Sequence, residues 1–285
     1  MGSRYLTELA TWLRGAGIRV VEYDGWQTRA RSSGGFDSGK PWGVMWHHTA
    51  SQTSPANDAS FMCHGSSDRP IANLLVARDG EVWVLAAGAT NTNGKGGPWS
   101  WSRGTVPLDS MNVHAVGMEL ANSGVGEPFP QAQIDAAFAA SVAICRGLGL
   151  DAGDICQHQQ YAPSRKIDPA TAGAVQGPWR PAAVTSSGTW NLADTITEHR
   201  RRAGSAPPTP NPIPPPGGDD DVEKYLCRDV DGWPVVTDFA SYATFITEEQ
   251  AADGVAMRGY VKGADNEPFP LSASDSDLMH RIAGG

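Results

Sequence analysis

The chain has 285 residues, 40% of them hydrophobic, and carries 22 Lys and Arg against 31 Asp and Glu. That apolar content is enough for a folded core and too high for a wholly disordered chain. A net charge of −9 excludes the basic footprint with which a nucleic-acid binder displaces counterions from phosphates. The excess is local: residues 1–218 hold 17 basic and 17 acidic side chains, and residues 219–285 hold 5 and 14. No run approaches the roughly 18 consecutive apolar residues of a membrane span, so no membrane insertion is expected.

From the N-terminus, Tyr5, Leu6, Leu9, Trp12 and Leu13 recur at helical spacing, with Gly15 and Gly17 as stop signals. The same segment carries Arg4, Glu8 and Arg14 and has no uninterrupted apolar centre, unlike a secretory signal. The expectation is synthesis in the cytoplasm, with any action elsewhere needing another route out. Residues 18–23 and 42–47 read as strands. Residues 72–78 and 81–86 flank Asp79-Gly80, a dipeptide suited to the positive φ angles of a two-residue hairpin turn. Residues 115–121 form another short apolar run. Residues 130–146 read as a helix, with Ile134, Phe138, Val142 and Cys145 on one face and Gly147 ending it. A last helix is expected over 191–202, with Leu192 and Ile196 inward and Arg200, Arg201 and Arg202 complementing the negative end of its dipole. Strands mixed with helices in this way specify an α/β domain around a mixed central β-sheet flanked by helices.

Residues 205–218, with seven prolines, form an extended spacer that cannot pack into a sheet or helix, and Asp219, Asp220 and Asp221 keep its exit solvated. The expected organisation is a domain over 1–204, a Pro-rich linker over 205–221 and a small α+β module over 222–285. In the module, residues 225–228 and 234–237 flank Asp231-Gly232 as a hairpin, and Thr247-Glu248-Glu249-Gln250 reads as a capping box opening a short helix. Cys63, Cys145, Cys156 and Cys227 are scattered without a C-x-x-C pair, which argues against a disulfide framework or a thiolate zinc cluster.

Three places hold reactive side chains at strand ends or in loops: 45–50 around His47 and His48, 117–120 around Glu119, and 158–169 from His158 to Pro169. His47, His158 and Asp168 are of the type that leaves one open position for water on zinc, whose bound water becomes a nucleophile near neutral pH. Glu119, among Val116, Met118 and Leu120, is suited to shuttle protons, and Lys166 to stabilise a developing oxyanion. Each residue also has a plainer reading: a hydrogen-bonded surface histidine, a buried carboxylate paired with an arginine, a solvated lysine. His48 rivals His47 as a ligand, and strand alternation lets only one of them serve. Cys63-His64 suggests a thiol nucleophile only weakly, because nucleophile and base meet in space rather than in sequence. His114 reads as a substrate contact or a structural hydrogen bond, and Trp99 and Trp101 as a sugar-stacking rim or as loop anchors.

The string Ala162-Pro163-x-Arg165-Lys166-x-Asp168-Pro169 after His158, Gly117-Met118-Glu119-Leu120 and the Arg78-Asp79-Gly80 hairpin resemble motifs of the type-2 N-acetylmuramoyl-L-alanine amidases and the peptidoglycan-recognition superfamily, in particular actinobacteriophage endolysins. The resemblance covers about residues 40–180. It implies Zn2+ held by His47, His158 and Asp168, with Glu119 and Lys166 catalytic and His48, His114 and Trp99 near substrate. It further implies cleavage of the amide between N-acetylmuramic acid and L-alanine in bacterial peptidoglycan, lysing the wall after release through a pore made by another protein. Position 72 is Ala where some members place a catalytic Tyr, so Glu119 carries the proton work. Residues 91–97 occupy a loop where relatives often show a His. The last 64 residues then read as a cell-wall-targeting module, or as a self-association segment. A non-catalytic peptidoglycan-binding module on the same fold is the alternative reading, which the full set of five site residues disfavours.

Overall fold

The computed structural model describes residues 4–65, 67 and 69–204 and, beyond these, the backbone of four short strands. The chain divides into two compact units, Met1–Pro212 and Ile213–Gly285. In chain order the first unit contains α1 (Leu9–Gly15), β1 (Val20–Glu22), β2 (Gly43–His48), α2 (Pro55–Ser60), β3 (Leu74–Val76), β4 (Val82–Val84), β5 (Trp99–Trp101), β6 (Gly104–Val106), β7 (Ala115–Leu120), α3 (Gln131–Leu148), β8 (Ile155–Gln157), α4 (His158–Tyr161) and α5 (Leu192–Gly204). Six strands form one sheet in the order β1-β4-β3-β7-β2-β8, and β5 with β6 forms a separate two-stranded ribbon. Strands β3, β7, β2 and β8 run parallel, β4 runs antiparallel to β3, and β1 is parallel to β4. The sheet is mixed and flanked by helices, as the residue patterns require.

The central strands are covered on both faces, which is why β2 and β7 read as nearly continuous apolar runs rather than as alternation. Val44 and Trp46 of β2, Leu74 and Val76 of β3, and Val116, Met118 and Leu120 of β7 face α1 and α3 in the main core. Trp46 packs on Phe138 of α3 with ring centroids 5.0 Å apart, and Phe138 meets Trp179 edge-on at 4.8 Å. The other face carries two smaller clusters, one around Met45, Trp101 and Tyr161 and one around Met62, Leu75 and Leu85. Period-two alternation therefore sends His47 and Glu119 to this second face, which no long helix among the described residues covers.

Three local expectations are corrected. The β3–β4 connection is not a two-residue turn with two positive φ angles. Only Gly80 has positive φ (84°), the Gly80 amide donates to the Ala77 carbonyl oxygen, and the Ala77 amide donates to Glu81. The loop is thus three residues, a tight turn followed by a left-handed glycine. Helix α3 also runs through Gly147 and ends at Gly149, whose φ of 64° makes the left-handed C-cap. Gly147 is a packing residue: a Cβ there would lie 2.4 Å from the Trp12 ring of α1. In α5 the inward residues are Thr195 and His199, with Ile196 packed against the core edge, because Asn191 caps the helix and sets its phase.

The second unit contains β9 (Tyr225–Arg228), β10 (Pro234–Thr237), β11 (Ala243–Phe245) and β12 (Phe269–Pro270), in the order β11-β10-β9-β12. Strands β9 and β10 pair antiparallel; the turn expected at Asp231-Gly232 lies outside the described residues. The helix expected from Thr247 lies outside the described residues, as does the side chain of Cys227. No helix among the described residues is long and apolar enough to cross a membrane.

Candidate metal centre

Parallel strands deliver their C-terminal ends to one edge of the sheet, and in open α/β folds that edge is where sites form. His47 lies one residue from the end of β2 and is in register with Glu119 of β7. Gln157, the last residue of β8, pairs with Trp46, so His158 follows directly beside His47. The loop after α4 returns Asp168 to the same point, anchored where the Gln159 amide donates to the Asp168 carbonyl oxygen.

All three side chains are buried. Their ligand atoms converge: His47 Nδ1 is 2.8 Å from His158 Nδ1 and 3.1 Å from Asp168 Oδ2, and His158 Nδ1 is 2.9 Å from the same oxygen. The opposite ring atoms determine where the imidazole protons sit. His47 Nε2 lies 3.0 Å from Asn93 Oδ1, and His158 Nε2 lies 2.9 Å from the Asn93 carbonyl oxygen. Both partners only accept, so both Nε2 atoms carry hydrogen, and in the neutral imidazoles both Nδ1 lone pairs point at a carboxylate oxygen. Three electron-pair donors this close repel one another unless a positive charge sits among them. Two imidazoles and one carboxylate, with every other polar ring atom satisfied, form a donor set suited to zinc, and His47, His158 and Asp168 form a group able to hold a metal ion.

The electrostatics show how strongly the acidic groups here call for a positive charge, which a proton on His47 meets when no metal does. Burial works against a proton on His47, but the Glu119 and Asp168 carboxylates outweigh it and raise its pKa. Burial, reinforced by the His47 charge, pulls His158 down to about 4, so it is neutral at pH 7, as a ligand must be. Burial also opposes ionisation of Asp168, yet the close approach of His158 and His47 holds its carboxyl well below the usual carboxylate range.

Glu119 borders this group, and its Oε2 is buried without a hydrogen-bond partner among the described residues. Burial pushes its pKa up to about 7, with Asp168 adding to the rise and His47 and Lys166 opposing it. Beyond Glu119 opens a cavity of about 400 Å³ lined by Thr49, Ser51, Asp58, Phe61, Met62 and Ile71, among others. Asp58 Oδ1 accepts from the Thr53 hydroxyl at 2.7 Å, and its buried Oδ2 has no partner among the described residues.

The remaining sequence candidates fall elsewhere. His48 projects to the opposite face from His47, and its Nδ1 accepts the backbone N–H of Ala170 at 3.2 Å, which braces the Asp168 loop. His114 precedes β7 at the far end of the strand from Glu119, roughly 16 Å away at the usual rise per residue. It donates from Nδ1 to the Ser110 carbonyl oxygen and stacks edge-on against Trp42, which is a structural setting. Trp99 packs half-buried against the cluster of Met45, Trp101 and Tyr161. The Cys63 thiol is buried and pushed up to about 11, so it carries no thiolate at neutral pH. Residues the sequence did not single out are Asn93, which meets both imidazoles; Asn112, whose Oδ1 accepts from the amides of Asn93 and Gly94; and Asp58. A polar residue in a Gly/Asn-rich loop has no periodic signal to mark it.

A mixed sheet whose parallel edge gathers two histidines and, from a following loop, an aspartate, with a desolvated glutamate beside them, defines a class of hydrolase-like site. Residues 37–171 match the family model described as N-acetylmuramoyl-L-alanine amidase, Amidase_2. Among solved structures, the chain is similar to an AmpD derivative at 19% identity and a TM-score of 0.39, over 54% of this chain and 88% of that one. It is similar to the endolysin amidase LysCS from Clostridium intestinale at 15% identity and a TM-score of 0.38, over 55% and 89%. The amidase AmiD from E. coli, in complex with a muramyl peptide, is similar at 22% identity and a TM-score of 0.38, over 53% and 60%. No curated protein matches the chain.

Proposed function

We propose that the first domain is a zinc-dependent peptidoglycan amidase that hydrolyses the bond between the lactyl group of N-acetylmuramic acid and L-alanine. The observation that carries this reading is the convergence of His47 Nδ1, His158 Nδ1 and Asp168 Oδ2 within 2.8–3.1 Å. These three atoms would hold zinc, which supplies a Lewis acid and a water of lowered pKa. Glu119 sits beside them on the adjacent strand with an unpartnered carboxylate oxygen. A carboxyl group with a pKa near neutrality is suited to take a proton from the attacking water and return it to the departing amine. Lys166, two residues before Asp168, presents the ammonium charge that would hold the oxyanion. The cavity beyond Glu119 would take the stem peptide, with Phe61, Met62 and Ile71 against its apolar parts. The second unit would hold the enzyme to the wall, and lysis of the wall is the expected consequence.

The test is a turbidity assay on purified cell walls, with and without a chelator, followed by end-group analysis. The expected result is chelator-sensitive clearing with new free N-terminal alanine. New reducing sugar ends would identify a glycosidase, and wall binding without any new end groups would identify a non-catalytic binding module.

A further inference from the structure

The loop at residues 89–97 lies over the sheet edge on the same face as the candidate ligands. Thr92 packs against Gly117 of β7, where a Cβ would lie 2.1 Å from the Thr92 hydroxyl oxygen. The next residue, Asn93, is fully buried. Three contacts fix it: its amide donates to Asn112 Oδ1 at 2.8 Å, its carbonyl oxygen accepts from Arg165 Nη2 at 2.7 Å, and Gly94 donates to the same Asn112 oxygen at 3.2 Å. Arg165 also donates from Nε to the Lys95 carbonyl oxygen at 2.9 Å. The residue that faces both imidazoles is therefore tied to β7, to the turn before it and to the third-ligand loop.

We propose that Asn93 is a positioning residue that fixes the ring orientation and tautomer of both histidines, its side-chain oxygen acting on His47 and its main-chain oxygen on His158. A neutral imidazole has one hydrogen to place. An acceptor at Nε2 draws the hydrogen there and leaves Nδ1 free for a metal; without that acceptor, His47 can place the hydrogen on Nδ1 and direct it at Asp168 Oδ2, closing the site to metal. Arg165 Nη2 also lies 3.3 Å from His158 Nε2, but both groups are donors, and their closeness follows from sharing the Asn93 carbonyl oxygen. Asn93 thus acts through the ligands and does not touch the reacting atoms. In metal sites generally, losing such an outer partner costs about 10–100-fold in metal affinity.

This inference rests on the zinc reading above, and the experiment separates the two. The zinc dissociation constant of the full chain would be measured by competition with a chromophoric chelator for wild type, Asn93→Leu, Asn93→Ala and Asn93→Asp, with folding checked by circular dichroism and the cobalt-substituted spectrum recorded. Leu is close in size and has no acceptor; Ala serves if Leu does not fold; Asp keeps an acceptor at the same place. The expected result is zinc affinity lowered about 10–100-fold in Asn93→Leu or Asn93→Ala, a changed cobalt spectrum, and recovery to within a few-fold of wild type in Asn93→Asp. A residue that only supports the fold would lower thermal stability and leave zinc affinity unchanged in the folded fraction. That result, or an equal loss in Asn93→Asp and Asn93→Ala, overturns the proposal while leaving the zinc site standing. Failure of wild type to bind zinc overturns the metal reading and this inference with it.

Discussion

Glu119 is held by β7 among buried neighbours with one oxygen unpartnered, and burial keeps its pKa near 7 rather than in the ordinary carboxylate range. In the metal-free protein this has a definite stability cost. A carboxyl whose folded pKa lies above its unfolded value favours folding below about pH 4.5 and progressively loses that advantage as pH rises through 7. Glu119→Gln removes the titration, so metal-free Glu119→Gln should exceed wild type in stability by about 1–3 kcal/mol at pH 8. The difference should vanish near pH 4. Urea melts of the two chelator-treated proteins across pH 4–8 test this, and parallel stability curves would show that the carboxylate is not desolvated. His158 behaves oppositely: it is neutral and buried with its pKa near 4, so acid below its unfolded pKa destabilises the fold. His158→Ala should abolish stoichiometric zinc binding, measurable by elemental analysis of the purified chain.

At the scale of elements, α3 is what sets the sheet edge in place. Phe138 meets Trp46 of β2 and Trp179, and the Arg202 guanidinium lies 4.7 Å over its ring. Trp46 immediately precedes His47, so a cavity at Phe138 loosens the strand that presents the first ligand. Phe138→Ala should cost about 3–5 kcal/mol, read from the denaturant midpoint, with zinc affinity falling alongside it. A loss below about 1 kcal/mol would mean that the packing is not the support described. The elements differ in how readable they are. Helix α3 shows its apolar face at 3.6-residue spacing and β7 its apolar run, and His47, His158 and Asp168 stand out because few other roles need those residue types at strand ends. The end of α3 is not legible at Gly147, because a glycine forced by the approach of Trp12 looks the same in sequence as a glycine forced by a C-cap. Asn93 could not be read at all: its importance comes from Asn112 and Arg165, 19 and 72 residues away, and neither spacing leaves a pattern.

For the whole molecule, the acidic charge lies outside the first unit. Residues 1–218 balance at 17 basic against 17 acidic side chains, and the excess follows the proline spacer. If the second unit anchors the enzyme, it does so against bulk repulsion from anionic wall polymers, so its binding should hold or strengthen as salt rises. A pull-down of residues 213–285 on purified walls tests this, and binding that weakens with salt would contradict it. Residues 1–204 alone should still cleave a soluble muramyl peptide with kcat/KM near that of the full chain, and should clear intact walls more slowly. The central claim, that zinc on His47, His158 and Asp168 works with Glu119 on the muramyl amide, is tested most directly on wild type and Glu119→Gln side by side. Both are assayed for zinc content and for free N-terminal alanine released from purified walls. The expected result is about one zinc per chain in each, with alanine released by wild type and reduced at least ~100-fold in Glu119→Gln. Alanine release by zinc-loaded Glu119→Gln at the wild-type rate would contradict the account.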